Sequence, residues 1–204
     1  MENNIKYHLS ENGVAKLISI ITQPPIISIP AFIILNYFLV GPDQFIVPTL
    51  ICIIFGALIP ILTSLILIKK MHTDLDITDR TKRTLPLIFA ICSYLIGFLV
   101  LYIISAPTIV TALMLIYGSN TILILLINFQ WKISIHAMGI AGPTAAFIYA
   151  FGISGAFIGI IIPFVMWSRV KLNKHTIFQV LAGAIVGLVM TWLQLSYFVP
   201  LLRL

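Results

Sequence analysis

Ala137-Met-Gly-Ile-Ala-Gly-Pro-Thr-Ala-Ala-Phe-Ile-Tyr-Ala-Phe-Gly152-Ile-Ser-Gly-Ala-Phe-Ile-Gly-Ile-Ile-Ile-Pro-Phe-Val-Met-Trp167 is a run of 31 residues without one charged side chain. A helix that crosses a bilayer needs about 20 apolar residues. The run is therefore too long for one crossing and short for two. Gly152, Ser154 and Gly155 supply turn residues near its middle, so it reads as two short helices forming a hairpin.

Working outward, further apolar runs occupy roughly 14–40, 45–68, 85–104, 107–129 and 177–201. Pro24, Pro25 and Pro30 interrupt the first, which predicts a bent or partly unwound segment there. With the hairpin counted as two, the chain has seven spans, or six if the first only dips into the bilayer. The expectation is an all-α integral membrane protein, a bundle of six to seven transmembrane helices with its active site at one membrane face. Residues 1–204 form one polytopic domain.

Composition points the same way. Of 204 residues, 60% are apolar and 9% charged, and the mean hydropathy is +1.12; a soluble domain would not expose so little charge. The polar start, Met1 to Ser10, does not read as a cleavable signal. Cys52 and Cys92 sit inside apolar runs and read as small buried hydrophobes. The net charge of +6 is dispersed over short loops, which selects lipid headgroups and phosphates as partners and argues against nucleic acid.

Three polar islands remain between the spans: Lys69–Arg83, Gln130–His136 and Ser168–His175. Two crossings separate each from the next, which places all three on one membrane face, where residues distant in sequence can meet. The first island holds Asp79-Arg80-Thr-Lys82-Arg83-Thr-Leu-Pro86, the second Lys132-Ile-Ser134-Ile-His136, the third Ser168-Arg169-x5-His175. Arg offers a fork of donors matched to phosphate oxygens. Neutral His can act as a nucleophile near neutral pH, and a second imidazole can protonate a leaving oxygen. Such a set suits hydrolysis of a phosphomonoester or diphosphate. Neither His136 nor His175 has a second metal ligand three or four residues on.

In the same order, the islands resemble the signature of the type-2 phosphatidic acid phosphatase superfamily: Lys-x6-Arg-Pro, then Pro-Ser-Gly-His, then Ser-Arg-x5-His-x3-Asp. The third motif matches from Ser168 through Arg169 to His175, followed by Ala182-Gly183. In the second, Ile133 and Ile135 stand for the Pro and Gly, while Ser134 and His136 are kept. In the first, two residues separate Arg83 from Pro86. A divergent bacterial branch with Lys-Ile-Ser-x-His and Asp-Arg-x-x-Arg motifs is the most similar, and the likeness covers about residues 69–183, within a phosphatase-like core of about 69–201.

The resemblance implies roles. His175 would be the nucleophile that forms a phosphohistidine, and His136 would protonate the departing group. Arg169 and Arg83 would bind the phosphoryl oxygens with Ser134, and Arg80, Lys132 and Lys82 would assist. No metal and no cofactor is implied. Gln179 stands where the family has the Asp that orients the nucleophilic His. Its carbonyl can accept the same hydrogen bond, but it does not stabilise an imidazolium as a carboxylate would. The chain has no acid after Asp79, so any carboxylate behind His175 would be Asp74, Asp76 or Asp79.

The function implied is metal-independent hydrolysis of a lipid phosphate of the polyprenyl diphosphate, phosphatidate or phosphatidylglycerol phosphate type. Two rivals stand beside it. One is a catalytically degenerate protein that binds or transports lipid phosphates. The other is a Mg2+-dependent intramembrane prenyltransferase, for which Asp74, Asp76 and Asp79 would be one acid-rich loop, although no second such loop follows. Ser119, Asn120 and Asn128 read as interhelical hydrogen-bonding residues. Eleven of twelve Lys and Arg, including Lys6, Lys16, Lys69 and Lys70, fall on the motif face. The positive-inside rule then makes that face cytoplasmic, whereas the family resemblance implies an extracytoplasmic site in the cell membrane; the residues lean to the former.

Overall fold

In hydrocarbon a backbone amide finds no water, so apolar runs must satisfy their N–H and C=O groups within helices. The computed structural model describes residues 2–72, 77 and 79–203, with side chains from residue 12 onward. Asp74 and Asp76 lie outside the described residues, as does the side chain of Lys6.

Among the described residues the fold is all helical. The elements are α1 (Glu2–Ile21), α2 (Pro24–Val40), α3 (Ile46–Ile53), α4 (Ile59–Met71), α5 (Thr84–Ile103), α6 (Thr108–Asn128), α7 (Ile135–Phe151), α8 (Ile161–Lys171) and α9 (Ile177–Leu201). Five helical runs are long and apolar enough to cross a membrane, and six if the bent α1–α2 pair is one of them. Their outward side chains include Phe38, Ile103, Ile153, Phe157 and Phe178, each more than 65% exposed. Such a belt would be an aggregation hazard in water and is the natural face toward lipid. Cys52 is buried as expected, but Cys92 is exposed on the outer side of α5, a site that the apolar composition alone could not distinguish from the interior.

The proline-rich start bends where the sequence predicts. Gln23, which precedes Pro24, is extended (φ −60°, ψ 136°), because a residue before proline is driven out of the helical region. The axes of residues 12–21 and 24–40 differ by 54°. Between α3 and α4, residues Ile54–Leu58 form a π-helical turn. Its carbonyls are caught from both sides, Gly56 O by the Ser28 hydroxyl at 3.2 Å and Phe55 O by the Ser93 hydroxyl at 2.7 Å.

The 137–167 stretch folds back on itself. A 3-10 segment, Gly152–Ile160, runs from the turn into α8, longer than the short turn at 152–155 that the sequence suggests. A Cβ at Gly155 would lie 2.1 Å from Phe147 O, so only glycine lets this segment lie against α7. Lower down, Ile162, Met166 and Val170 of α8 pack on Ala137 and Ala141 of α7, which returns Ser168 and Arg169 to the level of Ser134. On the other side, α9 runs alongside α7 in the same direction. Here a Cβ at Gly183 would come 2.5 Å from Ser134 O; its absence lets the two helices approach closely.

One half of the bundle is tightly packed. Phe32, Leu35, Leu101, Leu113, Met114 and Leu195, all fully buried, form a single cluster with Cys52 and Phe147. It lies away from the polar islands, and the half near them is held open.

Candidate functional site

Of the five Lys and Arg in the first island, Arg83 alone lines the cavity. The Asp79 carboxylate accepts from Thr81 N at 3.0 Å and from the Thr81 hydroxyl at 2.7 Å, capping the short 3-10 turn Arg80–Arg83 that leads into α5. These bonds hold the exposed carboxyl below the ordinary carboxylate range. The turn sends Arg83 inward, where it is 4% exposed and its Nε donates to Ile77 O at 2.8 Å. Arg80 points elsewhere: its Nη1 donates to Phe129 O at 2.8 Å, and Asn128 Nδ2 donates back to Arg80 O at 2.8 Å. The two bonds clasp the end of α6 to the first island. Lys82 Nζ donates to Met71 O at 3.3 Å and so caps α4. Neither Arg80 nor Lys82 is among the cavity-lining residues; both donate to carbonyls that helix ends leave open.

Ser134, completely buried, is the N-cap of α7: its hydroxyl accepts from Ala137 N at 3.3 Å. Its own N–H donates to Gln179 O at 3.2 Å and ties α7 to α9. Ser134 is not among the cavity-lining residues, whereas His136, two residues into the helix, is.

The third island explains its own spacing. After α8 ends, Asn173 adopts a left-handed conformation (φ 54°) that reverses the chain. Lys174 N and His175 N then donate to Arg169 O at 3.0 and 3.3 Å. Five residues between Arg and His are what this helix-terminating turn consumes. Thr176 next starts α9 with a reciprocal cap, in which the Gln179 side-chain oxygen accepts from Thr176 N at 3.1 Å and the Thr176 hydroxyl accepts from Gln179 N at 3.4 Å.

That cap also fixes the tautomer of His175. Because Gln179 Oε1 already accepts from Thr176 N–H, the amide is oriented with oxygen toward the ring. His175 Nδ1, 3.1 Å from the same oxygen, must carry the proton and donate it. The lone pair is then on Nε2. Burial, first of all, and then the positive charges of Arg83, Arg169 and Lys132 push the imidazole from 6.5 down to about 4, against the opposing effect of the Gln179 bond. Asp79, engaged with Thr81, is not among the groups that perturb His175. The ring is therefore oriented by an amide and neutral at pH 7.

Arg83, His136, Arg169 and His175 line one cavity of about 230 Å3. Lys132 lies outside its lining, though its charge reaches His175. Three helix N-termini, those of α5, α7 and α9, begin beside these residues, and a helix N-terminus favours an anion. The remaining lining is largely apolar and includes Pro24, Pro60, Ile61, Leu87, Tyr94 and Ile124. Asn120 and Thr191 also line the cavity, with Asn120 Nδ2 donating to Thr191 Oγ1 at 2.9 Å and Gln194 Nε2 donating to Asn120 Oδ1 at 2.8 Å. Ser119 donates to Gln194 Oε1, so Ser119 and Asn120 make the expected interhelical bonds to α9, whereas Asn128 reaches the 3-10 turn at Arg80. Two guanidiniums and two imidazoles therefore share one cavity with apolar walls.

The sequence gives no motif for Ser19, whose hydroxyl accepts from Arg169 Nη1. The one signal is the spacing of small or polar residues at Ala15, Ser19 and Thr22, a single helix stripe. No family model, curated protein or solved structure matches the chain.

Proposed function

We propose that the chain is an integral membrane lipid phosphatase of the type-2 phosphatidic acid phosphatase kind, acting through a phosphohistidine. The observation that supports this reading is the meeting of Arg83, His136, Arg169 and His175, drawn from three separate islands, around one cavity. In the reaction, Nε2 of neutral His175 attacks phosphorus as the bond to the leaving oxygen breaks. His136 delivers a proton to that oxygen, releasing an alcohol or a shorter phosphate. The Arg83 and Arg169 guanidiniums hold the non-bridging oxygens as charge gathers on them. Water, its proton taken by His136, then cleaves the P–N bond and frees phosphate and His175. No cofactor takes part in this scheme.

The substrate is a lipid phosphate whose head reaches the cationic mouth while its chain occupies the apolar walls: a polyprenyl diphosphate, phosphatidate or phosphatidylglycerol phosphate. With α1–α2 as one crossing and α7 and α8 as two, the bundle makes seven crossings of the cell membrane, or six if α1–α2 only dips in. By charge, the motif face is cytoplasmic.

The test is release of inorganic phosphate from a panel of such lipids by purified protein in detergent with EDTA present. Release by the wild type and none by His175→Ala supports the proposal; full activity of a folded His175→Ala protein overturns it. A second reading rests on Gln179, an amide where a carboxylate would stabilise a developing imidazolium: binding of lipid phosphate without turnover would identify a binding protein.

A further inference from the structure

Among the described residues Arg169 is the largest fully buried side chain, 1% exposed. A guanidinium on a flexible stem binds phosphate well only if its fork is aimed. One partner of this fork comes from the other end of the sequence, from α1. Ser19, 5% exposed, accepts a hydrogen bond from Arg169 Nη1. One residue earlier, the buried Ser168 hydroxyl donates to Ala15 O at 2.8 Å. Both residues that open the third island are therefore tied to one helix.

That helix is placed for the purpose. Ala15, Ser19 and Thr22, at 0, 5 and 4% exposure, form its inner stripe, while Val14, Leu17 and Ile21 are at least half exposed. The inner stripe meets α8, which carries Arg169. Just past the bend, Gln23 and Pro24 enter the cavity wall. Ser19 itself does not line the cavity, so whatever it does at the site passes through Arg169. The Arg169 carbonyl, in turn, holds the backbone N–H of His175 at 3.3 Å.

We propose that Ser19 is a positioning residue: its hydroxyl sets the direction of the Arg169 guanidinium and so the anion affinity of the site. This rests on the reading of Arg169 as a phosphate ligand. Supporting groups of this kind matter because a misplacement of about 1 Å can cost on the order of 10²-fold in rate. A purely structural role, satisfying a buried guanidinium, would lower stability and leave the affinity of folded protein unchanged.

Inorganic phosphate separates the two. Its affinity is read from the rise in unfolding temperature with phosphate concentration and, independently, from competitive inhibition of lipid phosphate hydrolysis. Wild type, Ser19→Ala, Ser19→Thr and Leu17→Ala are compared, with Ser19→Cys replacing the alanine variant if that does not fold. Ser19→Ala is expected to weaken phosphate binding about tenfold, Ser19→Thr to restore it to within about twofold because the hydroxyl returns, and the lipid-facing Leu17→Ala to leave it unchanged. Phosphate affinity in Ser19→Ala equal to wild type overturns the proposal, as does a loss that Leu17→Ala shares or a wild type that binds no phosphate. If the wild type hydrolyses no lipid phosphate but its phosphate affinity still depends on Ser19, the catalytic reading falls and this inference stands. If hydrolysis is intact and Ser19 proves irrelevant, the reverse holds.

Discussion

The two halves of the bundle are built to opposite ends. Away from the polar islands, Phe32, Leu113, Met114 and Leu195 fill space completely. Near the islands, the helices leave about 230 Å3 unfilled and direct two arginines and two histidines at it. Packing in the first half makes the second possible. A cavity with buried cations beside it is costly to hold open, and helices locked at their far ends are what resist its collapse. The division separates stability from chemistry by position along each helix, so each half can be broken alone.

The largest effect belongs to His175, the nucleophile of the proposed scheme. His175→Ala should reduce phosphate release to background, a loss of at least about 10³-fold, with unfolding little changed. His136→Ala should cost about 10²–10⁴-fold on a lipid phosphate, the range of a general acid; with an activated aryl phosphate the loss should shrink and a phosphoenzyme should accumulate, visible by labelling with an alkaline quench, which preserves a P–N bond. Breaking the other half should look different. Leu113→Ala should lower stability by about 2–5 kcal/mol in a detergent unfolding titration, while the rate per folded molecule stays within about twofold. If that variant instead loses activity at unchanged stability, the halves are not separable.

The smallest effect is in pH. Since His175 titrates near 4 rather than 6.5, the acid limb of kcat/KM that reports this group should lie near pH 4, and the site should remain competent at pH 5.5. The sign for stability follows. Between pH 6.5 and about 4 the unfolded chain protonates this histidine while the native state does not, so the unfolded state binds more protons and stability falls as pH falls through that window. His175→Asn should flatten that slope in unfolding measured across it.

Much of the architecture is readable without coordinates. Uncharged length and glycine placement disclose the fold-back at 137–167, and the spacing of the islands anticipates that Arg83, His136, Arg169 and His175 meet at one cavity. Gln179 is also legible, because a residue four past His175, in the first turn of a helix, must lie beside it. The first island is where sequence fails. Arg80, Lys82 and Arg83 lie within four residues, and only the phase of a 3-10 turn decides that Arg83 faces the cavity while the others cap α6 and α4. Ser19 is invisible for a different reason: its partner is 150 residues away, and the hydroxyl matters only after the α1–α8 contact exists.

The π-helical turn at Ile54–Leu58 carries a last consequence. It holds one residue more than an α-helical turn would, so everything beyond it on α4 is rotated by about 100° relative to an uninterrupted helix. Pro60, Ile61, Leu65 and Ile68 owe their place on the cavity wall to that offset. Excising a single residue there would leave composition and hydropathy almost untouched, yet swing this wall toward the lipid and present different side chains to whatever enters.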